Sequence, residues 1–203
     1  MLAKTKQRPA DSIGPAETAA TKQLLDEVAK PERSLDTISG LVRTLEDMPM
    51  VEKASKLKRA LAADWKLEYA SDADAVQPFL TGPESPFAVV EGIVHRWKAN
   101  GEFETIEVRR KLGPFGNSKA VLCGRFSVDG DSIRWRAAYM LDPRSREVPV
   151  PSGAGTGDMR VSYISPLLLL LRPATDDTRL LLFGRVEKLK SALDELRVSD
   201  DDA

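Results

Sequence analysis

Two apolar runs of strand length lie near the end of this chain, and neither alternates. Leu167–Leu171 is closed by Arg172, and Leu180–Phe183 is closed by Gly184 and Arg185. Successive side chains of a strand point to opposite faces, so a half-buried strand alternates apolar with polar residues. A run that is apolar on both faces leaves water on both. The sheet that takes up these strands must therefore meet protein on one side and something equally apolar on the other.

The totals narrow what that something is. At 203 residues the chain suits one domain with appended helices and is long enough to bury a core. Its net charge of -1 gives no global field that would gather nucleic acid. A single cysteine, Cys123, rules out an internal disulfide and a multi-cysteine zinc site. A single histidine, His95, removes most histidine-based metal and triad chemistry. The longest apolar run is far short of the roughly 20 residues of a membrane helix. The chain reads as soluble, or peripheral to a membrane at most.

Residues 1–17 read as a flexible arm, with the remnant of a targeting peptide as an alternative that Asp11, Glu17 and the lone Arg8 weaken. Residues 18–63 read as a helical segment. Leu24, Leu25 and Val28 share one face, and Pro31 ends that run. Ser34 has the place of an N-cap, and Leu35, Ile38, Leu41, Val42 and Leu45 form an apolar stripe at helical spacing. Pro49 is expected to open a third helix through Val51, Leu57 and Leu61.

The period then switches to two, with Trp65, Leu67 and Tyr69 alternating with Lys66 and Glu68. Further strands are expected over 87–97, 103–112, 119–128, 132–141, 158–164, 167–171 and 179–185. Asn100-Gly101 and Asp129-Gly130 are hairpin signals, because their turns need positive φ. Pro78–Pro86 and Pro143–Gly157 read as long loops. About eight sequential antiparallel strands over 64–187 suit an up-and-down β-barrel, with a two-sheet sandwich as the rival. Residues 188–203 read as an amphipathic helix with Leu189, Leu193 and Leu196 on one face, followed by an acidic tail. The fold class is thus mainly β: a barrel behind an N-terminal helical layer and before a short C-terminal helix.

Particular stretches carry a family likeness. Leu45-Glu46-Asp47-Met48-Pro49, a charged helix, and then the run from Leu61 to Ser71 resemble the approach to the barrel in plastid-lipid-associated proteins, the fibrillin family. Arg160–Ile164, Leu169–Arg172 and Leu182–Arg185 resemble the family's C-terminal pattern: a tyrosine strand, a strand ending in Arg, and an aromatic-x-Arg strand. The resemblance spans roughly residues 20–187 and implies a lipocalin-like barrel. It further implies plastid (chloroplast) residence at lipid globules or thylakoid surfaces, and binding of a carotenoid, quinone or acyl lipid. Partnership with a prenyl-lipid enzyme or a photosynthetic complex also follows from it, and nucleic acid does not.

Ile133, Trp135, Ala137, Tyr139 and Leu141 form the cleanest apolar face, opposite Arg134 and Arg136. With Trp65, Leu67, Tyr69 and Phe183 this face is expected to line the barrel interior, Tyr69 and Tyr139 acting as polar handles. Two readings follow: a ligand pocket, or an interior filled by its own side chains with the outer surface docking on a partner. Trp65 and Arg185 become neighbours if the sheet closes, and a guanidinium over the indole would plug one end, with Arg172 as the rival partner. Glu91 and His95 share an inner face if Phe87 points inward. His95 serves as a base only beside a nucleophile and an orienting group, so a solvated or hydrogen-bonded histidine is the expectation. Ser152–Gly157 lacks the Lys-Ser/Thr ending of a P-loop and precedes a strand, so it reads as a flexible loop. Arg109-Arg110-Lys111 reads as a solvated strand end or a headgroup contact. Cys123 is expected as a small core residue. No catalytic residue and no metal ligand set emerges.

Overall fold

A computed structural model describes residues 14–48, 54–81, 88–111, 117–152 and 154–198. Residues 1–13 of the expected arm, Pro49 and Val51 as the start of a helix, Phe87, Leu112 and the acidic tail lie outside the described residues, and the last residues of that arm, from Pro15, are already helical.

Three helices come first. Pro15, whose fixed φ suits a first helical position, opens α1 (Pro15–Val28). In α2 (Leu35–Glu46) the Ser34 hydroxyl caps the end, accepting from the Thr37 N–H at 3.2 Å. α3 (Ala54–Leu61) leads directly into the sheet. The strands are β1 (Asp64–Ala70), β2 (Ala88–Trp97), β3 (Glu102–Lys111), β4 (Asn117–Asp129), β5 (Ser132–Leu141), β6 (Glu147–Val148), β7 (Thr156–Ile164), β8 (Leu168–Pro173) and β9 (Leu181–Val186). α4 (Ala73–Val76) precedes the loop expected from Pro78, a 3₁₀ turn (Gln77–Phe79) overlaps its start, and α5 (Leu189–Val198) is the last described element. None of these helices is long and apolar enough to cross a membrane.

All nine strands join one antiparallel sheet, and it closes in a ring. Neighbours follow chain order from β1 to β5 and then through β7, β8 and β9, and β9 pairs back onto β1. The two-residue β6 is a side ladder on the far end of β5. One ring in place of two packed sheets disposes of the sandwich. The expected hairpin glycines hold positive φ, +88° at Gly101 and +60° at Gly130.

Both faces of the leucine strands are accounted for. Leu169, Leu171, Leu181 and Phe183 point into the ring, among Trp65, Ile93, Trp97, Phe103 and Trp135. Leu168, Leu170 and Leu182 point outward with Tyr163, where Leu24 and Val28 of α1 and Ile38, Val42 and Leu45 of α2 cover them. The amphipathic stripe of α2 thus lies on the sheet, although Leu35 at its first turn is 62% exposed. The opposite wall has a separate cover. Leu189 and Leu193 of α5 pack over Val94, Ile106, Val121 and Cys123.

Four bulges interrupt the alternation. Glu68, Glu91, Ala138 and Ser162 are each the extra residue of a register shift. A bulge sets two residues against one on the partner strand and so exchanges the faces beyond it.

Leu170 has no exposed surface. A Leu170→Ala variant is expected to lose about 2–5 kcal/mol of stability, and Leu35→Ala less than about 0.5 kcal/mol. Urea unfolding measures both, and equal losses would contradict α2 lying on the outer leucines.

Candidate functional site

Both ends of the ring are occupied by helical turns. At the end where β1 begins, Leu57 and Leu61 of α3 join the interior cluster, and the Trp65 indole N–H donates to the Leu61 carbonyl at 2.9 Å. At the other end, the Asp72 carboxylate caps α4 through the Ala75 N–H at 2.9 Å, and the following 3₁₀ turn inserts Phe79. The Phe79 ring is fully buried, 5.0 Å from Trp135, 5.2 Å from His95 and 5.7 Å from Phe183. Glu107, also fully buried, pins this segment by accepting the Thr81 N–H at 2.6 Å, and it pairs with Arg109. Sequence reasoning missed Phe79 and Glu107. The available signals were an N-cap aspartate at Asp72 and an apolar Phe79-Leu80 pair within a proline-marked loop.

His95 sits at the centre of this interior. Its ring stacks on Phe103 at 5.3 Å and lies 4.1 Å from Trp97. Nδ1 is 2.7 Å from the Thr105 hydroxyl. A hydroxyl beside an imidazole is half of a nucleophile–base pair. Here both side chains are sealed from solvent, and among the described residues no carboxylate orients the second nitrogen. Burial alone pushes the His95 pKa down to about 3, and the ring is neutral. His95 Nε2, Trp97 Nε1 and Trp135 Nε1 are buried without a hydrogen-bond partner. Three such atoms in one cluster call for an acceptor or a donor, since nearly all buried polar groups in folded proteins have one.

The other expected site residues divide. Trp65, Ile133, Trp135 and Phe183 line the interior, with Leu67 packed against them. Two expectations are corrected. Tyr69 lies on the outer face, because the bulge at Glu68 reverses β1, and the Arg33 guanidinium sits 5.7 Å from its ring. Tyr139 is also outside, beyond the bulge at Ala138, next to Cys123 and under α5. Burial raises the Cys123 thiol pKa, in keeping with a core role.

The end-plugging pair is corrected as well. Trp65 and Arg185 are directly opposed in register, yet Arg185 is exposed and donates to the Pro166 carbonyl at 3.3 Å. Arg172 turns outward to α2, donating from Nε and Nη2 to the two carboxylate oxygens of Glu46 at 2.7 and 3.1 Å. Burial would raise the Glu46 pKa, but these bonds more than offset it and hold it below the usual range. Glu91 is the bulge residue of β2 and pairs with Arg110 at 2.7 Å, away from any pairing with His95. The basic run at Arg109-Arg110 is therefore engaged in ion pairs. In the glycine-rich loop, Gly153 lies outside the described residues and Gly157 has a packing role. A Cβ at Gly157 would fall 2.1 Å from the Trp135 indole.

A cavity lies outside the ring. A groove of about 480 Å³ runs between α2 and the outer face of the sheet, and Tyr69 and Arg172 are among its walls.

No protein-family model matches this chain, and no curated protein matches it.

The neutral His95 generates a pH dependence. In the unfolded chain its imidazole takes a proton below about pH 6.5, and in the native interior only near pH 3. Because the unfolded state binds the extra proton, stability is full above about pH 6.5 and falls through that window, by about 1.4 kcal/mol per pH unit. The loss at about pH 5 is then about 2 kcal/mol, before carboxylates such as Glu46 begin to titrate. Urea unfolding at about pH 7 and about pH 5 is expected to show this for the native chain and not for His95→Gln. Equal slopes would refute it.

Proposed function

We propose that this chain is a non-enzymatic, lipocalin-like β-barrel filled by its own side chains, acting through its outer surface as a structural or docking subunit. The observation that carries the proposal is Phe79. Its ring occupies the space a carotenoid, quinone or acyl lipid would need, and α3 stops the other end. Burial of one large aromatic side chain contributes on the order of 1.5–3 kcal/mol, so the filled state has a firm hold. With the interior closed, recognition moves to the outside. The fibrillin-like setting rests on the residue resemblance of the N-terminal approach, β1 and β7–β9. That setting is a plastid lipid globule or thylakoid surface, with a photosynthetic complex or a prenyl-lipid enzyme as partner.

A carrier reading has one observation in its favour. His95 Nε2, Trp97 Nε1 and Trp135 Nε1 lack partners inside the ring. A lipophile bearing a carbonyl would satisfy the indoles once the Phe79 segment moved out. An ordered water does the same at no structural cost, since such waters serve buried polar groups in most proteins.

Gentle purification from the native source, organic extraction and mass spectrometry decide between the two. The expected result is no stoichiometric pigment, quinone or acyl lipid, together with a co-purifying protein partner or lipid surface. One lipophilic molecule per chain overturns the filled-barrel reading in favour of the carrier.

A further inference from the structure

The external groove has a chemistry of its own. From α2, Ile38, Ser39, Val42, Arg43 and Glu46 face it, spaced as one side of a helix. Its volume, about 480 Å³, falls in the range of small-molecule sites, about 300–1,000 Å³. Ile38, Val42 and Leu180 form a narrow apolar strip at its base, each almost wholly buried.

The charges around that strip do not balance. Three guanidiniums, Arg43, Arg160 and Arg172, stand against two carboxylates, Glu46 and Asp177. Arg172 is fully engaged by Glu46 and by the Asp177 carbonyl. Arg160 donates to the Asp177 carboxylate at 2.8 Å, but that carboxylate is 72% exposed, and exposed pairs of this kind hold weakly. The Arg43 guanidinium has no hydrogen-bond or ion-pair partner among the described residues. The groove thus carries one unanswered positive charge above an apolar strip, with a second guanidinium beside it that is lightly held.

We propose that this groove binds a small organic anion. Its charged head meets Arg43, reinforced by Arg160, and its apolar part rests on Ile38, Val42 and Leu180. The recognised feature is a single carboxylate or phosphate monoester on a short apolar body. Guanidinium donors match both heads in the same planar, two-pronged way. Tyr69 belongs to this site and not to the ring interior, because the bulge at Glu68 turns it outward. The proposal does not depend on what fills the ring.

Isothermal titration of the full chain with hexanoate, hexyl phosphate, hexanol and inorganic phosphate tests it. At least one of the two amphiphilic anions is expected to bind about tenfold or more tightly than hexanol, and the tighter of them identifies the head. Arg43→Gln, which removes the charge without setting a new carboxylate beside Glu46 in the last turn of α2, is expected to weaken that binding at least about tenfold, while the urea midpoint stays close to that of the native chain because Arg43 is exposed. Three results overturn the proposal: neither anion binding better than hexanol, Arg43→Gln binding as the native chain does, or inorganic phosphate binding as tightly as hexyl phosphate.

Discussion

A strand that is apolar on both faces has to be packed on both, and the rest of this molecule follows from that demand. The leucines of β8 and β9 divide into an inner set, Leu169, Leu171 and Leu181, and an outer set, Leu168, Leu170 and Leu182. The inner set demands closure, because an open sheet would leave it wet. The outer set demands the N-terminal helices. α1 and α2 are bound to the sheet by that apolar layer and pinned at its edges by polar bonds. The Tyr163 hydroxyl donates to Glu17 at 2.8 Å, and Arg172 reaches Glu46. Burial and the Glu17 contact push the Tyr163 pKa up to about 12, so that donor is always present.

Closure creates a second problem, which the aromatic residues solve. A small eight-stranded ring has an interior that side chains can fill or that can hold one small ligand. Here β1 to β5 and β9 each contribute an aromatic ring, and the short segment after β1 supplies Phe79 between them. The cost is paid in polar groups. His95 is held neutral, two indole N–H groups go without acceptors, and Glu107 is buried to hold the Thr81 backbone. Those polar groups make the interior specific in a way that an all-leucine filling would not be.

The bulges explain why an alternation-based reading assigned some faces correctly and others in reverse. Up to a bulge, period two holds: Trp65 and Leu67 face inward, as do Ile133, Trp135 and Ala137. Past it the faces exchange, which sends Tyr69 and Tyr139 outside. The extra residue leaves no trace in composition. Glu68 and Ser162 are polar residues in polar positions, and Ala138 is small enough for either face; Glu91 alone stands out, as a carboxylate in line with Val89, Ile93 and Trp97. Only the partner strand's register reveals them.

From the sequence alone come the switch from helical to alternating period, the eight ring strands, the two hairpin glycines and the Ser34 cap. These are local properties, encoded in residues within a few positions of each other. The leucine runs also announced that both faces would be dry. The sequence could not say what dries them. That α2 rather than α5 covers the outer leucines, that Phe79 closes the ring, and that Arg172 serves α2 while Tyr69 lines an external groove were decided by contacts between residues far apart in the chain. Such contacts depend on strand register and closure geometry, and a one-residue bulge is enough to redirect them.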